Sequence, residues 1–275
     1  MNLVGSNFDF EDSDIEIADY EICTPRNFIS KSEGRLIASN QKFLAMVPKS
    51  GKEILIIEPN NNSINIKSDL PKISCDSIIC HLEFSPFNNN ILASGHEDKS
   101  LLLWKIPEEG LKKNITKEYI SLKKNNDKVN FIEFNPISSE VLFSSSNCGD
   151  IYVWNLEKKD SFGFLNLGSY PTSVSWNPHG DLIGATTYLK NFYIFDPRNN
   201  SSTTFQKQIS DQYNSKFIWV DNNTFLTISL NKEGKDKLLK LWDIKRYDKE
   251  ISSKKIYSSI NISTPREMRT VRRLC

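Results

Sequence analysis

Histidines, cysteines and paired carboxylates are the residues through which a chain can do metal or nucleophilic chemistry, and in this sequence they stand apart. The histidines are His81, His96 and His179, and no two fall at the HxH or HxxxH spacing that brings two imidazoles to one metal. They read as turn and loop histidines. Cys23, Cys75, Cys80, Cys148 and Cys275 are odd in number and contain no CxxC pair. That pattern reads as reduced thiols in a cytosolic compartment, not as a disulfide framework or a zinc cage. No GxSxG, HExxH or phosphate-binding glycine loop occurs. Glu97 and Asp98 are neighbouring acids, but Asp98 reads as a turn residue bonded to its own backbone. The expectation is a chain with no catalytic residues, no metal and no cofactor.

The elements that would position such residues follow from composition and periodicity. The chain has 275 residues, 38% hydrophobic, with 35 Lys and Arg against 34 Asp and Glu. Near-zero net charge argues against a dedicated nucleic-acid binder. No apolar run reaches the ~18 residues of a spanning helix, so no transmembrane segment is expected. One unit recurs: an alternating strand ending in an aromatic residue, Ser or Asn and Pro, then a small-residue strand, a tight turn, and an apolar strand ending in Trp or Phe. Its copies are His81 to Gly95 with Leu101 to Trp104, Phe131 to Ser145 with Ile151 to Trp154, and Val174 to Ala185 with Phe192 to Asp196. A looser copy runs from Phe217 to Asp243. The strand-ending aromatics Trp104, Trp154, Phe195 and Trp242 are 50, 41 and 47 residues apart, and Ile57 extends the series backward by 47. Such a period, with several strands per unit, predicts an all-β WD-repeat β-propeller with about five recognisable blades. The small-residue strand is expected near the crowded axis.

A WD unit ties a loop His, a strand Ser or Thr, a turn Asp and the strand Trp into one hydrogen-bonded network. The candidates for that structural network are Ser94, Asp98, Trp104, Trp154 and Trp242. The loop-His position of the second unit holds Cys75, and the turn-acid positions of the third and fourth hold Cys148 and Leu189. Incomplete networks are therefore expected, with stability resting on packing.

Several segments are more specific than a generic WD unit. Ser85-Pro86-Phe87-Asn88-Asn89-Asn90 through Ser94-Gly95-His96-Glu97-Asp98, with the exit Trp104-Lys105-Ile106-Pro107-Glu108-Glu109-Gly110-Leu111, resembles the second blade of coronins. Lys42-Phe43-Leu44-Ala45 with Glu53 to Ile57 resembles the first blade. Ser173 to Gly180 with Ile194 to Arg198 resembles the fourth, and Leu239 to Asp243 the fifth. The resemblance runs from about residue 20 to about 250. Residues 1–19 read as an acidic, flexible N-terminus, 20–250 as coronin-like blades, and 251–275 as an atypical basic tail. The family closes a seven-bladed ring, so the chain reads as a truncated version of a longer protein, without the family coiled coil and its self-association.

The resemblance implies a non-enzymatic, cytoplasmic protein of the cytoskeleton that binds actin filaments and regulates their organisation, with other cytoskeletal proteins as further partners. In the family, an Arg shortly before the first blade contributes to filament binding, and without a gap Arg26 falls on it. Arg26 is the first basic residue after seven acids, Asp9, Glu11, Asp12, Asp14, Glu16, Asp19 and Glu21. Arg35 and Lys31 take that role if the register slips. The alternative is a general WD-repeat scaffold that assembles a protein complex. Arg266, Arg269, Arg272 and Arg273 read as a solvated tail, and Cys275 stands last, not four from the end as a prenylation box requires.

Overall fold

The computed structural model describes residues 34–58, 70–199, 203–208, 213–230, 237–246 and 250–256. They form five four-stranded antiparallel sheets, each built from strands consecutive in the chain. Blade 1 comprises β1 (Ile37–Ser39), β2 (Leu44–Met46), β3 (Glu53–Ile57) and β4 (Lys72–Ser74). Blade 2 comprises β5 (Ile79–Phe84), β6 (Ile91–His96), β7 (Leu101–Lys105) and β8 (Ile120–Leu122). Blade 3 comprises β9 (Val129–Phe134), β10 (Val141–Ser146), β11 (Asp150–Asn155) and β12 (Asp160–Asn166). Blade 4 comprises β13 (Pro171–Trp176), β14 (Ile183–Thr187), β15 (Asn191–Phe195) and β16 (Thr203–Gln208). Blade 5 comprises β17 (Tyr213–Trp219), β18 (Thr224–Leu230), β19 (Lys237–Asp243) and β20 (Ser252–Ile256).

The blades pack face to face, joined through their first strands: β1 on β5, β5 on β9, β9 on β13 and β13 on β17. The apolar core therefore lies between blades. Phe43, Ile54, Ile73, Leu92 and Trp104 fill the first seam, and Leu101, Leu103, Ile132, Leu142 and Trp154 the second. Phe143, Val153, Trp176, Ile183 and Phe195 fill the third, and Phe192, Ile194, Phe217, Phe225 and Trp242 the fourth. Strand register puts each Trp opposite an apolar partner: Leu92 faces Trp104, Leu142 faces Trp154 and Phe225 faces Trp242. Because each interior sheet is covered on both faces, its strands carry apolar residues on both, which is why Leu101 to Trp104 do not alternate with polar residues.

The turns repeat as well. The residue after each turn-acid position has a positive φ: Lys99 at 74°, Gly149 at 92° and Lys190 at 66°. The turn thus keeps one backbone shape while the preceding residue changes from Asp98 to Cys148 to Leu189. The exit that singled out the second unit has a structural reason. Gly110 turns the chain with φ 71°, and its amide bonds the Pro107 carbonyl at 3.1 Å. The chain then runs back over blade 1, where Ile115 bridges Ile73 in parallel and Leu111 and Ile115 pack on the first seam. This covers the outer edge of β4, an edge that would otherwise be open to another strand.

Three features differ from the expectations above. The small-residue strands β6 and β10 are second in their sheets, not innermost. They are small because the neighbouring blade presses on them: a Cβ on Gly95 would lie 2.8 Å from Val129 Cγ1 and from the Val129 carbonyl oxygen. His81 and His96 sit in strands and are 1% and 0% exposed, so they are core residues, not turn residues. Finally, Ser252–Ile256 pairs with β19 as the fourth strand of blade 5, so the strands continue past residue 250.

Candidate functional site

Each seam carries a polar tie beneath its apolar residues, and the blades build it from different side chains. In blade 2, Trp104 Nε1 donates to Ser94 Oγ at 2.8 Å, and Ser94 Oγ lies 2.8 Å from His96 Nε2. With the indole N–H already directed into Ser94 Oγ, the serine hydroxyl is free to donate to Nε2. The ring proton then sits on Nδ1, facing the Ser77 carbonyl at 3.4 Å. Burial lowers the His96 pKa, keeping the ring neutral and able to accept. The loop-His position is held by Cys75, as counted from the sequence, but the imidazole reaches the serine from two residues further along the same strand. Asp98 turns to Ser100, accepting from its amide at 3.1 Å and its hydroxyl at 2.5 Å. Partial burial raises the Asp98 pKa, and the Ser100 bonds outweigh it and bring it below the ordinary value. A cavity of about 70 Å³ lies beside this network, lined in part by Cys75, Ser77, His96, Ser100 and Trp104. Burial pushes the Cys75 and Cys80 thiols up to about 12, which removes them from thiolate chemistry.

Blade 3 reaches the same end with an amide. Trp154 Nε1 donates to Ser144 Oγ at 2.8 Å, and Ser144 donates to Asn125 Oδ1 at 2.8 Å. Asn125 Nδ2 in turn donates to the Lys99 carbonyl at 3.1 Å, across the seam. Counting back eleven residues from Pro136, the step that leads from Pro86 to Cys75, lands on Asn125. The sequence therefore carried a signal for this residue. Asn125→Ala is expected to lower stability by about 1–2 kcal/mol in urea unfolding, because the buried Ser144 hydroxyl loses its acceptor. Asn125→His is expected to recover part of that loss.

Blade 4 has no Trp at this position and uses Tyr193, whose hydroxyl donates to the Leu167 carbonyl at 3.0 Å. Leu167 stands at the loop-His position by the same count. On the opposite face, Thr172 and Thr186 both donate to the Ser215 carbonyl of blade 5, at 2.7 and 2.9 Å. In blade 5, Trp242 Nε1 donates to Thr227 Oγ1 at 2.8 Å. The expected gaps are thus filled by substitutes, because a donor and an acceptor facing each other across a seam suffice whatever side chain supplies them.

Of the residues considered for filament contact, Arg26 and Lys31 lie outside the described residues. Arg35 lies just before β1 and is 43% exposed at its side chain, with Nη1 3.3 Å from Glu83 Oε2. Sequence reasoning missed Glu133 altogether. It stands on the first strand of blade 3 and binds blade 4 through Ser175 Oγ at 3.3 Å and Trp176 N at 3.2 Å. Phe87 and Ile137, which follow Pro86 and Pro136 at matching turns of blades 2 and 3, are 47% and 66% exposed.

Comparison with known proteins agrees with this architecture. The family described as "WD domain, G-beta repeat" matches residues 71–105, which run from the start of blade 1's outer strand to the end of β7. Coronin-like protein crn1 of Schizosaccharomyces pombe is 27% identical over 168 residues, covering 58% of this chain and 27% of that protein. Human Coronin-7 is 26% identical over 259 residues, covering 92% of this chain and 26% of its own length. The crystal structure of the WD40 domain from Toxoplasma gondii coronin matches with a TM-score of 0.74 and 25% identity, covering 83% of this chain and 60% of that one. The chain thus spans about a quarter of the length of these two curated relatives.

Proposed function

Since this chain is a coronin-like WD-repeat β-propeller, we propose that it is a non-enzymatic actin-binding protein of the cytoplasm and cytoskeleton that acts on filament organisation. The single observation behind this reading is the agreement of coronin relatives in sequence and in structure over most of the chain. Arg26 is the residue assigned to the filament. A guanidinium forks onto a carboxylate of an acidic surface more effectively than an ammonium does. The Arg35 guanidinium already has Glu83 at 3.3 Å, which favours Arg26 over Arg35 for this task.

Co-sedimentation with actin filaments at low and physiological salt tests the proposal. Wild-type chain is expected to pellet in a salt-sensitive manner, and Arg26→Asp to weaken pelleting at least tenfold. Pelleting unchanged by the substitution would discard the site and keep the partner. A folded chain that does not pellet at either salt would sink filament binding. It would favour instead a WD-repeat scaffold assembling a protein complex, a reading supported by the exposed Phe87 and Ile137 on neighbouring blades.

A further inference from the structure

A strand at the rim of a sheet leaves half of its backbone groups unpaired, and the outer strands of the five blades meet this in different ways. The edge of β4 is covered by the chain that carries Ile115, and β8 is only three residues long. β16 contains Lys207, and β20 contains Lys254 and Lys255. Lysines on an edge oppose pairing with a further strand. β12 has neither a lysine nor, among the described residues, a cover. Its seven residues make it the longest outer strand of the five, and none after Asp160 is charged.

The direction of its backbone groups follows from one hydrogen bond. Leu167 N donates to the Gly149 carbonyl at 2.9 Å, so these two residues form a hydrogen-bonded pair. Such pairs alternate along an antiparallel ladder, which makes Leu165 with Ile151 and Gly163 with Val153 the next two. The N–H and C=O groups of Phe164 and Asn166 therefore point outward, away from β11, and no described residue bonds them. A bulge between Ser161 and Gly163 bends the strand before this stretch, so the regular edge is 163–166. Gly163 and Leu165 are buried, whereas Phe162, Phe164 and Asn166 are exposed. Phe164 packs on Tyr152 with ring centroids 4.9 Å apart, yet Phe162 and Phe164 remain 45% and 37% exposed.

We propose that this edge is a self-association site, at which two copies of the chain pair β12 with β12, antiparallel about a two-fold axis. With Phe164 opposite Asn166 of the second copy, every outward N–H and C=O of the two residues finds a partner in both copies. The pairing uses up both edges, so it closes as a dimer. Charge permits it. No Asp, Glu, Lys or Arg occurs from Ser161 to Gly180, and in this register Asp160 lies opposite Tyr170 of the second copy, so no like charges meet. Phe164 stands diagonally across from its own counterpart, within the reach of two aromatic rings. Identity of the two edges supplies the match in hydrogen bonds and charge at once. A strand of another protein would have to bring that match in its own sequence.

Sedimentation equilibrium of the full chain across a wide range of concentration tests the pairing. The wild-type chain is expected to pass from monomer to dimer and no further. Phe164→Lys places a lysine on the edge and is expected to weaken the dimer at least tenfold. Phe87→Lys, at an exposed turn of blade 2 that takes no part in the pairing, is expected to leave it unchanged. Amide hydrogen exchange reads the backbone without any variant: protection at Phe164 N and Asn166 N is expected to rise with protein concentration. A wild-type chain that stays monomeric would overturn the proposal and leave the edge to a strand of another protein. Assembly beyond the dimer, a dimer weakened equally by Phe87→Lys or not at all by Phe164→Lys, or amide protection independent of concentration would overturn it as well.

Discussion

Trp104→Ala is expected to lower the folding stability by about 3–5 kcal/mol, the cost of removing a large aromatic side chain from a packed interior. Trp104 is 1% exposed and sits in the first seam with Phe43, Ile54, Ile73 and Leu92. Its removal leaves a cavity bounded by two sheets. Neither sheet can collapse into it without breaking strand pairs, so little of the loss is relieved by repacking. The polar tie separates from the packing in a second variant. Trp104→Phe keeps most of the apolar contact and deletes only the indole N–H, so it should cost about 1–2 kcal/mol. Ser94→Ala leaves two buried groups without partners, Trp104 Nε1 and His96 Nε2. It is expected to cost at least as much as Trp104→Phe. Urea unfolding followed by tryptophan fluorescence and circular dichroism reads all three. Equal losses for Trp104→Ala and Trp104→Phe would show that the seam depends on the hydrogen bond and not on the ring.

Gly95→Ala is the second large effect, expected at about 1–3 kcal/mol for the addition of a single methyl group. The added carbon would lie 2.8 Å from the Val129 carbonyl oxygen and 3.0 Å from Ile132 Cδ1. The carbonyl belongs to the backbone of the next blade and cannot rotate away. Blades 2 and 3 would have to separate along the whole seam. Gly168→Ala is the contrasting case: nothing lies within 4 Å of its added carbon, and only its φ of +64° resists substitution. That backbone penalty is about 1 kcal/mol. A loss at Gly168 equal to that at Gly95 would mean that close approach of the blades is not what requires glycine in β6.

The strands were legible in the sequence because each is specified by its immediate neighbours. Phe84-Ser85-Pro86 and Phe134-Asn135-Pro136 end their strands by turn chemistry alone, and Trp104 and Trp154 mark the seams by size and spacing. The strand Ser252–Ile256 was not legible, because Ser-Ser-Lys-Lys-Ile has little apolar pattern and becomes a strand by pairing with β19. The seam networks were half legible. Asn125 follows from the count that found Cys75, whereas His96 does not, since its ring reaches Ser94 from a strand position that the count assigns to no network role.

The polar contacts of Arg35 with Glu83 and of Glu133 with Ser175 and Trp176 could not be read from the sequence at all. Arg35, Glu83, Glu133 and Ser175 lie more than forty residues apart in succession; the last three are ordinary polar residues of alternating strands and Arg35 stands just before one. Their meeting depends on register between blades. It also depends on irregularities near the starts of inner strands, as between Ile79 and His81, between Pro171 and Ser173, and opposite Ser145 and Ser146. A bulge shifts which face a side chain takes, so period-two reasoning fails across it. What the sequence by itself determined is the local part of this protein: all-β strands, the blade period, and the large apolar residues that fill each seam. Tertiary structure alone decided which polar groups meet across the seams. Those meetings are set by blade-on-blade contact between distant segments, where an ångström of approach separates a hydrogen bond from a buried orphan.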